Sequence, residues 1–267
     1  MTGAAVVAEN ASKLFLDGSV VAFQALTLSV PEHDVLCIVG PSGCGKTTFL
    51  RCVAGLTELS TGRIFVHGSP VTGPPEGVAM VFQQFGLLPW KTVYDNTAFG
   101  LAMAGAPSAT IRQRVEHYLE LVGLAGFERR YPYQLSGGMQ QRVGLARALV
   151  LNPRVLLMDE PFAALDAQTR EVLQEELLRL MARPEERKTM LFITHSIDEA
   201  LLLGDHIAVL TARPGRVREL IEVPFGRPRD PAAVRADPHY AALREHIWDQ
   251  LRPEVALGAR PKGWSKA

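Results

Sequence analysis

Gly40-Pro41-Ser42-Gly43-Cys44-Gly45-Lys46-Thr47-Thr48 stands directly after the apolar run Val35 to Val39 and before the apolar stretch Phe49 to Val53. It fits the pattern G-x-x-x-x-G-K-[ST] without departure. The glycines allow backbone angles that turn successive N–H groups inward, and a helix starting near Lys46 aims its positive end at the same point. Such a loop holds a polyphosphate, with Lys46 reaching the β and γ phosphates and the Thr47 hydroxyl ligating Mg²⁺. A Gly-rich turn with no ligand is the competing reading; the strand before it, the helix after it and the full motif weigh against it. Cys44, inside the loop, reads as a small filler rather than a redox switch.

Outward from the loop, short apolar runs alternate with helical periodicity, the pattern of an α/β domain. Strands are predicted at Leu26 to Val30, Val35 to Val39, Ile64 to Val66, Val78 to Phe82, Val155 to Met158, Met190 to Thr194 and Ile207 to Leu210. Those without alternation read as parallel strands buried on both faces. A phosphate loop needs a metal-holding carboxylate at a neighbouring strand end, and Asp159 follows Val155 to Met158. Glu160, next in the chain, suits the general base that polarises the attacking water. Taken alone, the two acids would equally suit a solvated turn. His195 follows another such run and precedes Ser196-Ile197-Asp198-Glu199, a capping-box start. At a strand's carboxyl end it is placed to hydrogen-bond a γ phosphate, although a surface histidine before a helix has the same sequence context.

From Val93 to Val150 the pattern is helical, as in a subdomain inserted into the α/β core. Ser108 is expected to cap a helix carrying Ile111, Val115, Leu119 and Val122 on one face, and Gly123 to stop it. Asp237 and Pro238 open a last helix with Tyr240, Leu243, Ile247 and Leu251 on one face. The expected organisation is a core at 5–92 and 152–225, a helical insertion at 93–151 and a C-terminal helical extension at 226–267. The 267 residues carry 28 Lys+Arg against 28 Asp+Glu and are 47% apolar, so the long-range field that would gather nucleic acid is missing. No apolar run approaches the roughly 18 to 20 residues that cross a bilayer, and the N-terminus lacks a signal-peptide pattern. The three cysteines have no metal-ligand spacing and suit a reducing compartment. The chain is read as cytosolic.

Leu135-Ser136-Gly137-Gly138-Met139-Gln140-Gln141-Arg142 opens a further helix, with Ser and two Gly where a cap and exposed N–H groups belong. It is a second anion-binding helix terminus without a lysine of its own. Here the chain resembles the ATP-binding subunits of ABC transporters over roughly residues 9 to 225. The resemblance is carried in order by GPSGCGKTT, Gln83 in VFQQ, LSGGMQQR, VLLMDEP, Ala164-Leu165-Asp166 and His195. It implies a P-loop NTPase core (ABC ATPase, RecA-like) with an antiparallel β portion and an inserted helical subdomain. It further implies that two copies sandwich two ATP molecules head to tail, Leu135 to Gln140 of one covering the γ phosphate held by Lys46 of the other. In that pattern Gln83 senses Mg²⁺ or water, Asp166 lies across the dimer interface, and Phe15 stacks on adenine. Phe15 also fits a core aromatic on an early strand, and Gln84 stands beside Gln83.

Gly86-Leu87-Leu88-Pro89-Trp90 and Arg213-Pro214-Gly215-Arg216-Val217 resemble the importer branch that handles nitrate, aliphatic sulfonates, taurine or bicarbonate. Trp90 is then either an exposed anchor for the membrane subunit or a side chain packed inside the helical subdomain. The resemblance implies an ATPase peripheral on the inner membrane face, a homodimer docked on a transmembrane permease, with a periplasmic or extracellular solute-binding protein acting indirectly and no nucleic-acid partner. A chromosome-maintenance ATPase would need a long coiled-coil insertion, and no heptad run exists; an assembly or translation factor is the other alternative. Lys46→Ala is expected to abolish nucleotide binding and transport, as read by equilibrium ATP binding; retained tight binding would contradict the phosphate-loop assignment.

Overall fold

The computed structural model describes residues 3–163, 165–182 and 187–258. Ala164 and the last nine positions of the expected C-terminal extension lie outside the described residues. In chain order the elements begin with β1 (Ala4–Phe15), β2 (Val20–Pro31), β3 (Val35–Val39), α1 (Lys46–Val53), β4 (Thr61–Val66) and β5 (Ser69–Pro70). They continue with β6 (Val78–Val81), α2 (Val93–Met103), α3 (Ser108–Leu121), α4 (Gly137–Leu149), β7 (Val155–Asp159) and α5 (Ala167–Ala182). The remainder is β8 (Thr189–Ile193), α6 (Ile197–Leu203), β9 (His206–Leu210), β10 (Val217–Glu222), α7 (Pro231–Ala236) and α8 (Pro238–Gly258). The chain divides into two compact units, one made of the stretch up to Glu76 with everything from Thr189 on, the other running Gly77–Lys188.

In the first unit, β3 lies between β8 and β9 and is parallel to both, with β10 antiparallel on the far side of β9. Every residue of β3 and β8 is buried, which is why their sequences run apolar without alternation. A separate antiparallel sheet, in the order β2-β1-β4-β5, supplies the expected antiparallel portion. Helix α1 buries Phe49, Leu50, Cys52 and Val53, and Phe49 meets Phe23 of β2 edge to face at 5.6 Å between ring centres. Strands β1, β5 and β10 are additions to the predicted set. β1 is rich in Ala, carries Asn10 at φ 47 and pairs with register shifts, so period-two patterning is lost along it.

In the second unit β6 and β7 pair in parallel, Val78 opposite Val155. Within the same unit α4 packs on α2, α3 and β6. Helices α2 to α4 fill the span read as the helical insertion. Ser108 is the first helical residue of α3 and not its cap; Pro107 occupies the cap position, with no side-chain cap bond. Gly123 ends the helix as expected, at φ 66 with its N–H on the Glu120 carbonyl.

The segment beyond β10 is fastened to the first unit by Asp205. Its carboxylate accepts from Arg227 Nε and Nη2, both at 3.0 Å, from Arg229 Nη2 at 3.1 Å and from the Val35 N–H at 2.9 Å. Arg229 is buried and spends its other donors on the carbonyls of Leu202, Gly204 and Phe225. Asp237 accepts from the His239 N–H and so caps α8, whose Ile247 and Leu251 are buried. Asp205→Ala would strand two guanidinium groups away from water, and is expected to lower the unfolding free energy by about 3 kcal/mol. Urea denaturation of the full chain checks this; a loss below about 1 kcal/mol would show that the clasp carries no stability.

Candidate functional site

In the first unit the Gly40–Thr48 loop joins the carboxyl end of β3 to the start of α1. Gly45 caps α1 at φ 90, where a Cβ would sit 2.5 Å from the Ala22 carbonyl oxygen, so only glycine fits. The first turn of α1 contains no acidic residue, and its positive end is not neutralised by its own side chains. Lys46 is 5% exposed; its ammonium donates to the carbonyls of Gly40 at 2.8 Å and Pro41 at 3.0 Å. A cation is thus held at the centre of the loop by its own main chain, ready to exchange carbonyls for phosphate oxygens. Burial pushes the Cys44 thiol up, so at neutral pH it is an uncharged packing group, in keeping with a filler.

The same unit carries His195 and Phe15. Because β8 runs parallel to β3, His195 emerges at the same sheet edge as the phosphate loop. Its neighbours are pinned: Thr194 Oγ donates to Glu199 and accepts the Ser196 N–H, while Ser196 Oγ caps α6. His195 itself is exposed. Phe15 is 40% exposed at the end of β1, with Lys13 Nζ 5.0 Å from its ring centre, which removes the core-aromatic reading.

The second unit carries the carboxylates and the Leu135 to Gln140 segment. β7 is buried throughout and delivers Asp159, 2% exposed, at its last position. Glu160 follows at φ 48, a conformation that non-glycine residues rarely adopt and that often marks functional positions. Gln83 Nε2 donates to Glu160 Oε2 at 3.0 Å, which orients the carboxylate and leaves the amide oxygen as an acceptor for metal or water. Ser136 caps α4, its hydroxyl accepting from the Met139 N–H at 3.3 Å, and Gln140 Nε2 donates to the Leu135 carbonyl. The first turn of α4, including Gly137 and Gly138, holds no acidic side chain either. Asp166 caps α5: it accepts from the Thr169 N–H and hydroxyl, and those bonds hold its carboxyl below the usual range.

Two arginine contacts escaped the sequence reading, in which Arg213 entered only as part of the Arg213 to Val217 resemblance and Arg147 did not enter. Arg147 of α4 donates to the carbonyls of Gly86 at 2.8 Å and Phe85 at 3.1 Å, tying that helix to the loop after Gln83. Its only sequence signal is a charge among the apolar positions Val143, Leu145, Ala148 and Leu149. Arg213 donates from Nε to the Gly43 carbonyl at 3.1 Å, inside the phosphate loop. Hydrogen bonds to main-chain carbonyls leave no residue pattern to search for. The metal donors that were expected, the Thr47 hydroxyl, the Asp159 carboxylate and the Gln83 amide oxygen, are all hard oxygen donors of the kind Mg²⁺ takes. Among the described residues no group of His, Cys, Asp and Glu forms a metal cage of its own.

Residues 23–163 match the ABC transporter family. The chain is 47% identical over 249 residues to the uncharacterized ABC transporter ATP-binding protein MJ0412 of Methanocaldococcus jannaschii, covering 92% of this chain and 91% of that protein. It is 46% identical to the nitrate import ATP-binding protein NrtD of Synechococcus elongatus, covering 88% and 86%. Against the taurine import ATP-binding protein TauB of Roseobacter denitrificans it is 44% identical, covering 89% and 90%. Among solved structures it is similar to the dimeric post-hydrolysis state of the ATP-binding cassette MJ0796 bound to ADP and Pi, with TM-score 0.74, 30% identity and coverage of 83% of this chain and 100% of that one. Alignment nearly end to end with these ATP-binding proteins leaves one conclusion: the chain belongs to the ABC transporter family, and it is an ATPase built on the ATP-binding cassette.

Proposed function

We propose that this chain is the ATP-hydrolysing subunit of an importer for a small anion, nitrate, taurine or an aliphatic sulfonate, working as a head-to-tail homodimer on a separate permease. The observation that carries the reading is the pair of glycine-bearing helix N-termini, α1 with Gly45 at its cap behind the phosphate loop in one unit and α4 with Gly137 and Gly138 after its Ser136 cap in the other. Each suits an anion, yet only the first is paired with a lysine. A second copy, meeting the first head to tail, presents its Leu135 to Gln140 terminus to the γ phosphate bound at Gly40 to Thr48. The dimeric state of the similar cassette MJ0796 and the import functions named for NrtD and TauB point the same way.

In this reading Lys46 and the loop N–H groups neutralise the β and γ phosphates, and His195 donates to a γ oxygen. Glu160, oriented by Gln83, accepts the proton of the water that attacks phosphorus as the bond to the β-phosphate oxygen breaks, giving ADP and phosphate. Thr47 and Asp159 would hold Mg²⁺, with Gln83 sensing it, and the ion would supply charge stabilisation for the phosphate oxygens. ATP favours the closed dimer because its γ phosphate contacts both copies, and hydrolysis removes those contacts. Trp90 is 71% exposed, with Tyr133 and Met103 also open to solvent in the same unit, which supports the anchor role on the permease. The chain then sits as a peripheral subunit on the inner face of the membrane; among the described residues no helix is long and apolar enough to cross it. The external solute-binding protein delivers the anion to the permease, and cargo never touches this chain.

Glu160→Gln is expected to leave ATP binding intact, to cut turnover by about a hundredfold or more, and to accumulate an ATP-dependent dimer. Light scattering with ATP and Mg²⁺ reads the dimer directly; a species that stays monomeric would count against the sandwich.

A further inference from the structure

The turn between β9 and β10 is closed on itself and leans on the phosphate loop. Thr211 N–H donates to the Arg216 carbonyl at 3.0 Å, Arg216 N–H to Thr211 Oγ at 3.1 Å, and Thr211 Oγ to the Pro214 carbonyl at 3.0 Å. From this rigid turn Arg213 Nε reaches the Gly43 carbonyl. Gly215 packs so tightly behind Cys44 that a Cβ there would lie 1.9 Å from the Cys44 carbonyl oxygen. Gly215 also joins β2, accepting from the Gln24 N–H at 2.9 Å and donating to the Ala22 carbonyl at 3.3 Å. Since Ala22 is the residue that closes over Gly45, the centre of the phosphate loop is enclosed between β2 and this turn.

A planar trans peptide points its C=O and its N–H in opposite directions. Holding the Gly43 carbonyl outward therefore turns the Cys44 N–H inward, where it faces the Pro41 carbonyl across the loop at 3.4 Å. The wedge of Gly215 against the Cys44 carbonyl does the same for the next peptide. The turn is anchored in its turn by α8. Glu254, 8% exposed, accepts the Ala212 N–H at 2.6 Å and pairs with Arg218 at 2.7 Å, while Arg218 Nε donates to Gln250. A direct succession of contacts thus runs from the C-terminal helix through Glu254 and Ala212 to Arg213 and Gly43.

We propose that Arg213 is a positioning residue for nucleotide binding: it presets the inward N–H groups of the phosphate loop, and Glu254 makes α8 the support on which that setting depends. The proposal rests on the phosphate-loop reading given above. It concerns binding of the polyphosphate rather than cleavage, since Arg213 touches the loop from outside and the turn supplies no group to the water or to the γ phosphate in the scheme above.

The test is equilibrium binding of ATP and of ADP, each with Mg²⁺, to the full-length chain, alongside steady-state ATPase kinetics. Loss of one charge-assisted hydrogen bond that shapes the loop is expected in Arg213→Ala to weaken both nucleotides by about five- to tenfold and to raise KM equally, with kcat within about twofold. Arg213→Lys, which keeps the charge without the fork, recovers part of the affinity. Glu254→Ala, remote from the loop and readable even if Arg213→Ala fails to fold, weakens ATP by about two- to threefold. The double variant falls short of the product of the single effects because both act through one contact path. Wild-type binding with unchanged Kd and KM in Arg213→Ala and Glu254→Ala, or a fall confined to kcat, overturns the positioning role alone. A wild-type chain that binds neither nucleotide overturns the phosphate-loop reading with it.

Discussion

A curl of main-chain N–H groups has to be held open at the end of β3, with a lysine at its centre, before any phosphate arrives. The loop's own glycines make the curl sterically possible, but nothing in them holds it, because glycine also has the most conformations to lose. The holding is done from outside: by the buried strand that delivers Gly40, by Ala22 of β2 packed over Gly45, and by the turn that carries Arg213 and Gly215. Lys46 closes it from within on the Gly40 and Pro41 carbonyls. The parallel pairing of β3 with β8 then brings His195 to the same edge.

This explains which parts of the molecule are legible in its amino acids. β3, β7 and β8 are continuous apolar runs because both their faces are buried, and they lead to Gly40, Asp159 and His195 respectively. β1 hides behind its alanines, its register shifts and a positive φ at Asn10. β10, with Arg218, Glu219 and Glu222 in six positions, reads as a loop because an outer strand in its unit spends charges on solvent and on α8. The motif residues were legible because their chemistry demands those types at that spacing. The carbonyl contacts of Arg147 and Arg213 were not, since a guanidinium bound to a distant carbonyl needs no particular partner residue. The pairing of β6 with β7 was likewise not legible, because pairing across many residues has no local signature.

The proposed cycle needs little beyond this. Helices α1 and α4, one in each unit, begin at glycines that leave their N–H groups open to an anion, the first with a cation beside it and the second without. A triphosphate that satisfies both makes its terminal phosphoryl group the joint between two copies, so that cleavage loosens the joint. Gln83 hydrogen-bonded to Glu160, and Arg147 holding α4 to the carbonyls of Phe85 and Gly86, place water activation and the Ser136 terminus within one contiguous set of contacts in the second unit.

The most direct measurement is an experimental structure of the full-length chain with Mg²⁺ and a non-hydrolysable ATP analogue. The account predicts the Ser136 hydroxyl and the N–H groups of Gly137 and Gly138 of one copy within hydrogen-bonding distance of the γ phosphate seated on Lys46 of the other. A γ phosphate enclosed by a single copy, with the Leu135 to Gln140 segment facing solvent, would contradict it.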